Sequence, residues 1–138
     1  MRKLALDIGT ASCGFAISDE LNIIATGLEN FKFPLNDFEQ MFLRIKHYLE
    51  NYQIDKIIIG LPLRSNGTDS ERTILIRNLA KKIQNKFQKE VIFQNEYGST
   101  IAAESILIAS GMMRKKRKNF KDKLAAQIIL EDYLNYHQ

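Results

Sequence analysis

The sequence predicts an α/β fold that contains a mixed five-stranded sheet with helices on both faces. Three short apolar segments separated by short loops open the chain, which is typical of antiparallel strands. Helical and strand patterns then alternate, as they do where helices connect parallel strands. The length of 138 residues suits one domain with its own core, and we expect residues 1–138 to form that domain.

The first half of the chain should contain three strands and one helix. We predict the strands at residues 3–7, 14–18 and about 22–31. Pro34 and Asn36 or Asp37 are typical of a helix start. Apolar residues then recur every three or four positions to about residue 52, which predicts an amphipathic helix.

The next segments alternate between strand and helix. Residues 56–60 form a near-continuous apolar run, which is typical of a parallel strand covered on both faces. A polar loop at 61–70 leads into a second helix, and a fifth strand is predicted at 90–94. Arg64 in that loop could contact a phosphate, although turn geometry is the simpler explanation of the loop.

Two helices should complete the chain. We expect a third helix to begin at Ser99 and Thr100 and to end at Gly111, a residue that favours helix termination. The last helix should begin near Asp122. The resulting order, βββαβαβαα, is that of the ribonuclease-H-like fold.

Composition excludes several classes of protein. Hydrophobic residues make up 45% of the chain and charged residues 26%, as in ordinary globular proteins. No apolar run is long enough to span a bilayer, so we expect no contact with membranes. A single cysteine, Cys13, fits a reducing cytoplasm. The chain has only two histidines, so any metal would have to be held by carboxylates rather than by a zinc-type His and Cys site.

Positive charge is concentrated in one segment. The net charge is +4, yet the 126 positions outside residues 112–123 hold 13 basic and 15 acidic residues, a balance of −2. Because the segment lies between two helical patterns, we interpret it as a phosphate-facing loop; the simpler alternative is a solvated surface. Its basic residues are Arg114, Lys115, Lys116, Arg117, Lys118, Lys121 and Lys123.

Three carboxylates have positions that favour a metal site. Asp7 ends the first strand, Glu96 follows the fifth, and Asp122 should open the last helix. Ligands in such sheets bind at the carboxyl ends of the strands. Three adjacent carboxylates repel by roughly 4 kcal/mol per close pair, which Mg²⁺ or Mn²⁺ would offset. The alternatives are a turn cap for Asp7, a loop acid for Glu96, and for Asp122 a favourable charge in a first helical turn.

The chain resembles the YqgF/RuvX family, the Holliday-junction-resolvase-like nucleases of pre-16S ribosomal RNA. The resemblance covers essentially the whole chain. It rests on four blocks in order: Asp7-Ile8-Gly9-Thr10; Gly60-Leu61-Pro62-Leu63 with Asn66-Gly67-Thr68; Glu96 with Ser99-Thr100; and Arg114-Lys115-Lys116-Arg117-Lys118 before Asp122-Lys123-Leu124-Ala125-Ala126.

The resemblance implies a ribonuclease-H-like fold and a cytoplasmic, divalent-metal-dependent nuclease that matures the 5′ end of small-subunit ribosomal RNA. It implies metal-binding and catalytic roles for Asp7, Glu96 and Asp122. We expect Gly9, Thr10, Ser99 and Thr100 to support the neighbouring turns, and Arg64 with the basic segment to bind structured RNA.

One block departs from the family pattern. The family usually reads Asp-Glu-Arg-Leu-Thr-Thr where this chain has Asn95-Glu96-Tyr97-Gly98-Ser99-Thr100. Tyr97 cannot make the two-pronged ion pair of an arginine, so activity could be weakened. The alternatives are therefore a non-catalytic RNA-binding factor of ribosome assembly and a resolvase acting on branched DNA. An actin-like ATPase would need a second domain with another phosphate loop, which 138 residues do not provide.

Overall fold

The computed structural model describes residues 1–62, 70–95, 105–106, 108–109, 111 and 114–136, with side chains in the last range from Lys123 to Asn135. Its strands and helices follow the predicted order, apart from the third predicted helix, most of which lies outside the described residues. They are β1 (Arg2–Ile8), β2 (Ser12–Ser18), β3 (Ala25–Lys32), α1 (Phe38–Asn51), β4 (Ile54–Leu61), α2 (Glu71–Phe87), β5 (Glu90–Asn95) and α3 (Arg114–Tyr136).

The five strands form one mixed sheet in the order β3-β2-β1-β4-β5. Strands β1, β2 and β3 pair antiparallel, whereas β4 is parallel to both β1 and β5. The predicted mixed sheet is therefore confirmed. Because β1 lies at the centre and turns directly into β2, its carboxyl end lies in the middle of one sheet edge.

The two faces of the sheet pack against different helices. Leu4, Leu6 and Ile8 of β1 belong to the larger core, which α1 and α2 complete. Ala5 points the other way, as strand alternation requires, and joins the smaller core beneath α3. That core contains several alanines, which let the helix approach the sheet closely. Helices thus cover both faces, as predicted.

The start of α2 is fixed at the carboxyl end of β4. The Ser70 side chain caps the helix by accepting a hydrogen bond from the backbone N–H of Thr73 at 3.2 Å. The Thr73 hydroxyl in turn donates to the carbonyl of Pro62 at 2.9 Å. These two contacts hold the first turn of α2 beside the end of the sheet, where its side chains can reach β1.

The prediction for the last helix was wrong at its start. Helix α3 begins at Arg114, so the basic segment is helical rather than a loop. Asp122 is the ninth residue of α3 and does not open it. Lysine and arginine are good helix formers, so a run of them is compatible with a helix as well as with a loop. Before α3, Gly111 has φ +78° and its N–H donates to the Ile108 carbonyl, the expected end of the preceding helical residues.

In the part of the chain that the structure describes, no helix is both long enough and apolar enough to cross a bilayer.

Candidate functional site

Asp7 is a deeply buried carboxylate near the end of β1. The residue is only 5% exposed, and it pairs with Gly14 of β2. Its neighbours Leu6 and Ile8 face the larger core, so Asp7 lies on the opposite face, the one that α3 covers. Burying a charged group is costly unless other groups compensate it, which makes this position unusual for a purely structural residue.

The hairpin turn after Asp7 is held by backbone hydrogen bonds. The Gly9 N–H donates to the Ser12 carbonyl at 2.8 Å, and a Cβ atom on Gly9 would lie 3.1 Å from that oxygen. The Thr10 carbonyl accepts from the backbone N–H of Asn36 at 2.7 Å. Gly9 and Thr10 therefore form a close turn that is fastened to the connection between β3 and α1, and this limits how Asp7 can move.

Arg72 reaches the same sheet edge from the first turn of α2. Its Nη2 atom donates to the Ile8 carbonyl at 3.0 Å and lies 3.7 Å from Oδ1 of Asp7. At this distance the contact between Arg72 and Asp7 is an ion pair rather than a hydrogen bond. Half of the Arg72 side chain, 51%, remains exposed. An arginine thus stands beside the buried carboxylate with solvent access on its other side.

Sequence reasoning missed Arg72 because the contact joins residues 64 positions apart. One signal was present: a helix that follows a parallel strand begins at the carboxyl edge of the sheet, so the side chains of its first turn are near the strand ends.

Asn30 is a second residue that the sequence did not reveal. It pairs with Gly14, which pairs with Asp7, so the three residues form one row across the sheet. The Oδ1 atom of Asn30 is buried and accepts no hydrogen bond within the described structure. Since paired residues of neighbouring strands point to the same face, Asn30 adds an oxygen donor to the face that carries Asp7. The sequence does not indicate this role, because a polar residue is ordinary in a strand at the edge of a sheet.

The contacts of α3 with β3 fix the direction of the helix. Leu134, near its end, lines a cleft with Ala25 at the start of β3. Gln127, earlier in α3, accepts a hydrogen bond through Oε1 from the Gly27 N–H at 3.1 Å. Strand β3 runs in the same direction as β1, because both are antiparallel to β2. Helix α3 therefore runs from the side of Asp7 toward the start of β1.

The remaining predicted site residues are only partly described. The Lys123 side chain lies over Gly27, where a Cβ atom would come within 2.9 Å of its Cγ. Asp122 and the other basic residues of the segment are described as α3 backbone alone. Glu96, Ser99, Thr100 and Arg64 lie outside the described residues. Within the part of the chain whose side chains are described, no three potential metal ligands come together, and Asp7 is the one member of the predicted triad included there.

A different carboxylate–arginine pair lies between β3 and α1. Glu29 accepts hydrogen bonds from Nε and Nη2 of Arg44 at 2.9 and 2.6 Å and from the Tyr48 hydroxyl at 2.5 Å. Burial raises the pKa of Glu29, but the hydrogen bonds from Arg44 and Tyr48 lower it more, so the net shift is downward. Burial, together with the Glu29 carboxylate, raises the pKa of Tyr48.

Comparison with known proteins identifies close relatives. Residues 1–136 match the family described as RuvX, Holliday junction resolvase. A protein of Mycoplasmopsis pulmonis named "Putative pre-16S rRNA nuclease" is 43% identical over 136 residues, which cover 98% of this chain and 93% of that protein. A protein of Bacillus cytotoxicus with the same name is 42% identical over 137 residues, covering 98% of each chain.

Solved structures share the architecture. The Holliday junction resolvase of fowlpox virus superposes with a TM-score of 0.61 at 19% identity and covers 100% of both chains. RuvC of T. thermophilus, solved in complex with a Holliday junction substrate, gives a TM-score of 0.60 at 13% identity over 99% of this chain and 96% of that chain. At these identities the likeness concerns the fold, which is ribonuclease-H-like.

Proposed function

The chain belongs to the RuvX family, and we propose that it is a nuclease that hydrolyses phosphodiester bonds during 5′-end maturation of pre-16S ribosomal RNA. The observation that carries this proposal is Asp7, a carboxylate that is 5% exposed at the carboxyl end of the central strand. The relatives named for pre-16S rRNA cover nearly the whole chain, which supports the choice of substrate.

The metal ligands in this proposal are Asp7, Glu96 and Asp122. Glu96 directly follows Asn95, the last residue of β5, and β5 runs parallel to β4 and so to β1. Asp122 is on the α3 backbone one turn before Ala126, a residue packed in the core that contains Ala5. The direction of α3 brings that turn toward Asp7, which supports a common site for the three acids.

The donor set fits a hard divalent cation, Mg²⁺ or Mn²⁺. Carboxylate oxygens are the ligands that these ions prefer, and a bound cation would add to the compensation that Arg72 gives the buried Asp7 charge. When bound, such a cation would supply an activated water and stabilise the oxygen that leaves the phosphodiester. The chain's own contribution is the rigid turn at Gly9, which holds the Asp7 carboxylate in one orientation.

Arginine and lysine residues around the site would bind and orient the RNA. The half-exposed Arg72 guanidinium is within reach of a phosphate that lies near Asp7, and planar guanidinium groups bind phosphate oxygens well. The basic residues 114–118 precede Asp122 by four to eight positions in α3, about 6–12 Å along the helix axis. They would contact phosphates beside the cleavage position, and we propose the same role for Arg64, which follows β4 in the sequence.

The altered block around Glu96 favours a second candidate function. Asn95 and Tyr97 replace an acid and an arginine of the family pattern, so the chain could bind RNA in ribosome assembly without cleaving it. The family description also names Holliday junctions, which makes branched DNA the alternative substrate.

A cleavage assay separates these functions. We would incubate the protein with a precursor RNA that carries the immature 5′ end of 16S rRNA, with the same RNA already matured, and with a four-way DNA junction. Each substrate is tested with Mg²⁺, with Mn²⁺ and with a chelator. Metal-dependent cleavage of the precursor alone is expected. Cleavage of the junction alone would identify branched DNA as the substrate in place of RNA. RNA binding without cleavage in either metal would favour the function of a non-catalytic assembly factor.

A further inference from the structure

Helix α2 is strongly basic, a property separate from the basic segment of α3. Its 17 residues contain five basic side chains and one acid, Glu71. Arg72 is beside Asp7, and the cations continue along the helix away from that site. The basic residues are Arg72, Arg77, Lys81, Lys82 and Lys86.

A groove follows α2 along the edge strand β5. We call it the α2–β5 groove; its volume is about 220 Å³ and it is lined by Arg77, Ala80, Lys81, Gln84, Val91 and Phe93. This volume is below the roughly 300–1,000 Å³ of sites that enclose a small molecule. The groove therefore suits one planar group held against an open surface rather than an enclosed metabolite.

The groove combines an aromatic ring with positive charge. Phe93 is 36% exposed, and the Arg77 guanidinium lies over its ring at 5.4 Å. Bases of RNA stack on aromatic rings and on guanidinium planes. Gln84 is already engaged within the groove wall, since its Oε1 accepts a hydrogen bond from the N–H of Val91, another lining residue.

The groove lies on the face of the sheet that packs against α2, whereas Asp7 lies on the α3 face, so RNA that reaches both must pass around the carboxyl edge, where Arg72 contacts Asp7. Phe93 pairs with Ile59, which pairs with Leu6, the residue before Asp7. Phe93 is thus two strands from β1, about 10 Å across the sheet. Arg72 and Lys81 are nine positions apart, about 13 Å along the helix axis, the length of about four stacked nucleotides at 3.4 Å each.

We propose that the α2–β5 groove binds a single-stranded segment of RNA, with a base against Arg77 and Phe93 and a phosphate beside Lys81. Only an unpaired base can stack in this way, so the ligand is a single strand rather than a duplex. The inference rests on the proposed function for its choice of RNA, and it assigns to α2 the part of the substrate that extends beyond the cleaved bond.

Binding of a labelled single-stranded RNA of about 12 nucleotides, measured with chelator present, tests the groove without any cleavage. Phe93→Leu keeps apolar bulk but removes the ring, and we expect at least fivefold weaker binding. Phe93→Tyr keeps the ring and should bind as the wild type does. Lys81→Gln should lower the slope of log affinity against log salt by about 0.7, whereas Lys82→Gln, the adjacent exposed lysine outside the groove, should leave it unchanged.

Several results would overturn the proposal. Equal effects of Lys81→Gln and Lys82→Gln on the salt dependence of binding would show that RNA responds to the general positive charge of α2 and not to the groove. Unchanged binding by a folded Phe93→Leu variant would show that the groove attracts RNA by charge only, as it would attract an acidic peptide. Absence of RNA binding by the wild type would show that the groove is not an RNA site. Cleavage of precursor RNA by the wild type, combined with groove variants that bind like the wild type, would reject the groove and leave the nuclease standing.

Discussion

Two carboxylates, Asp7 and Glu29, each lie beside an arginine, but the two pairs are built differently. Glu29 accepts two hydrogen bonds from Arg44, at 2.9 and 2.6 Å, and a third from Tyr48. Asp7 is more deeply buried, at 5% exposed, yet the Arg72 nitrogen stays 3.7 Å from its Oδ1 and donates instead to the Ile8 carbonyl.

The difference indicates different roles. The Glu29 pair joins β3 to α1, and its hydrogen bonds compensate its charge locally, so it contributes to stability. The Asp7 pair is at the carboxyl edge of the sheet, where ligands bind, and its arginine is half exposed. We infer that the first pair stabilises the fold and that the second belongs to a ligand-binding site at that edge of the sheet.

The largest expected effect is on cleavage, and it should separate the two acids. Asp7→Asn keeps the shape of the side chain but removes the charge that would hold a cation, so precursor cleavage should fall by at least about 10²-fold. Glu29→Gln makes the same chemical change away from the site and should cleave at the wild-type rate. Initial rates of both variants, measured beside the wild type, check this. Equal losses in both variants would show that the effect is structural.

Thermal unfolding should show the opposite order. Glu29→Gln weakens charge-assisted hydrogen bonds to Arg44 and Tyr48, and because the group is partly exposed we expect a loss of about 1–2 kcal/mol, or about 3–6 °C in Tm. Asp7→Asn should stay within about 2 °C of the wild type in metal-free buffer. A larger loss for Asp7→Asn than for Glu29→Gln would make Asp7 a structural residue.

The strands of the fold could be predicted from the sequence, but not every contact at the site could. The apolar run at residues 56–60 sufficed to predict β4, because a strand buried on both faces needs apolar residues at every position. Asp7 could be assigned to a strand end for the same reason. The contact of Arg72 with Asp7 could not be predicted, since it joins residues distant in sequence and depends on how α2 packs against the sheet.

The last helix shows a second limit of sequence reasoning. Apolar periodicity becomes clear only near Leu124, so the pattern placed the helix start too late. The preceding turns are helical through the backbone preference of their lysines and arginines. A run of charge says little about whether the backbone is a loop or a helix that extends beyond its core.

A smaller effect is expected from Arg72→Gln. Arg72 and a divalent cation would both be positive beside Asp7, and removing an exposed charge at this distance is worth on the order of 1 kcal/mol. The Mn²⁺ concentration for half-maximal binding should therefore fall about two- to fivefold. Calorimetric titration checks this, with Arg77→Gln as a control that removes the same charge farther along α2. Weaker Mn²⁺ binding by Arg72→Gln would mean that Arg72 supports the metal site instead of opposing it.

The smallest effect concerns pH. The pKa of Glu29 in the folded protein lies below its ordinary value of 4.5, so its contribution to stability is present above that pH and is lost as the pH falls through the lowered pKa. The Tm difference between the wild type and Glu29→Gln should be constant above about pH 5.5 and shrink below pH 4.5. A Tm series from about pH 3 to 7 measures it; a difference that grows on acidification would reverse the assigned sign.

If Asp7, Glu96 and Asp122 hold one divalent cation together, variants that lack one acid each should lose Mn²⁺ affinity. Electron paramagnetic resonance of free Mn²⁺ would be followed during titration of the wild type, Asp7→Asn, Glu96→Gln and Asp122→Asn, with Glu29→Gln as the control. We expect binding by the wild type and the control, and at least about tenfold weaker binding by each of the other three. Wild-type affinity in any one of Asp7→Asn, Glu96→Gln or Asp122→Asn would contradict a shared site.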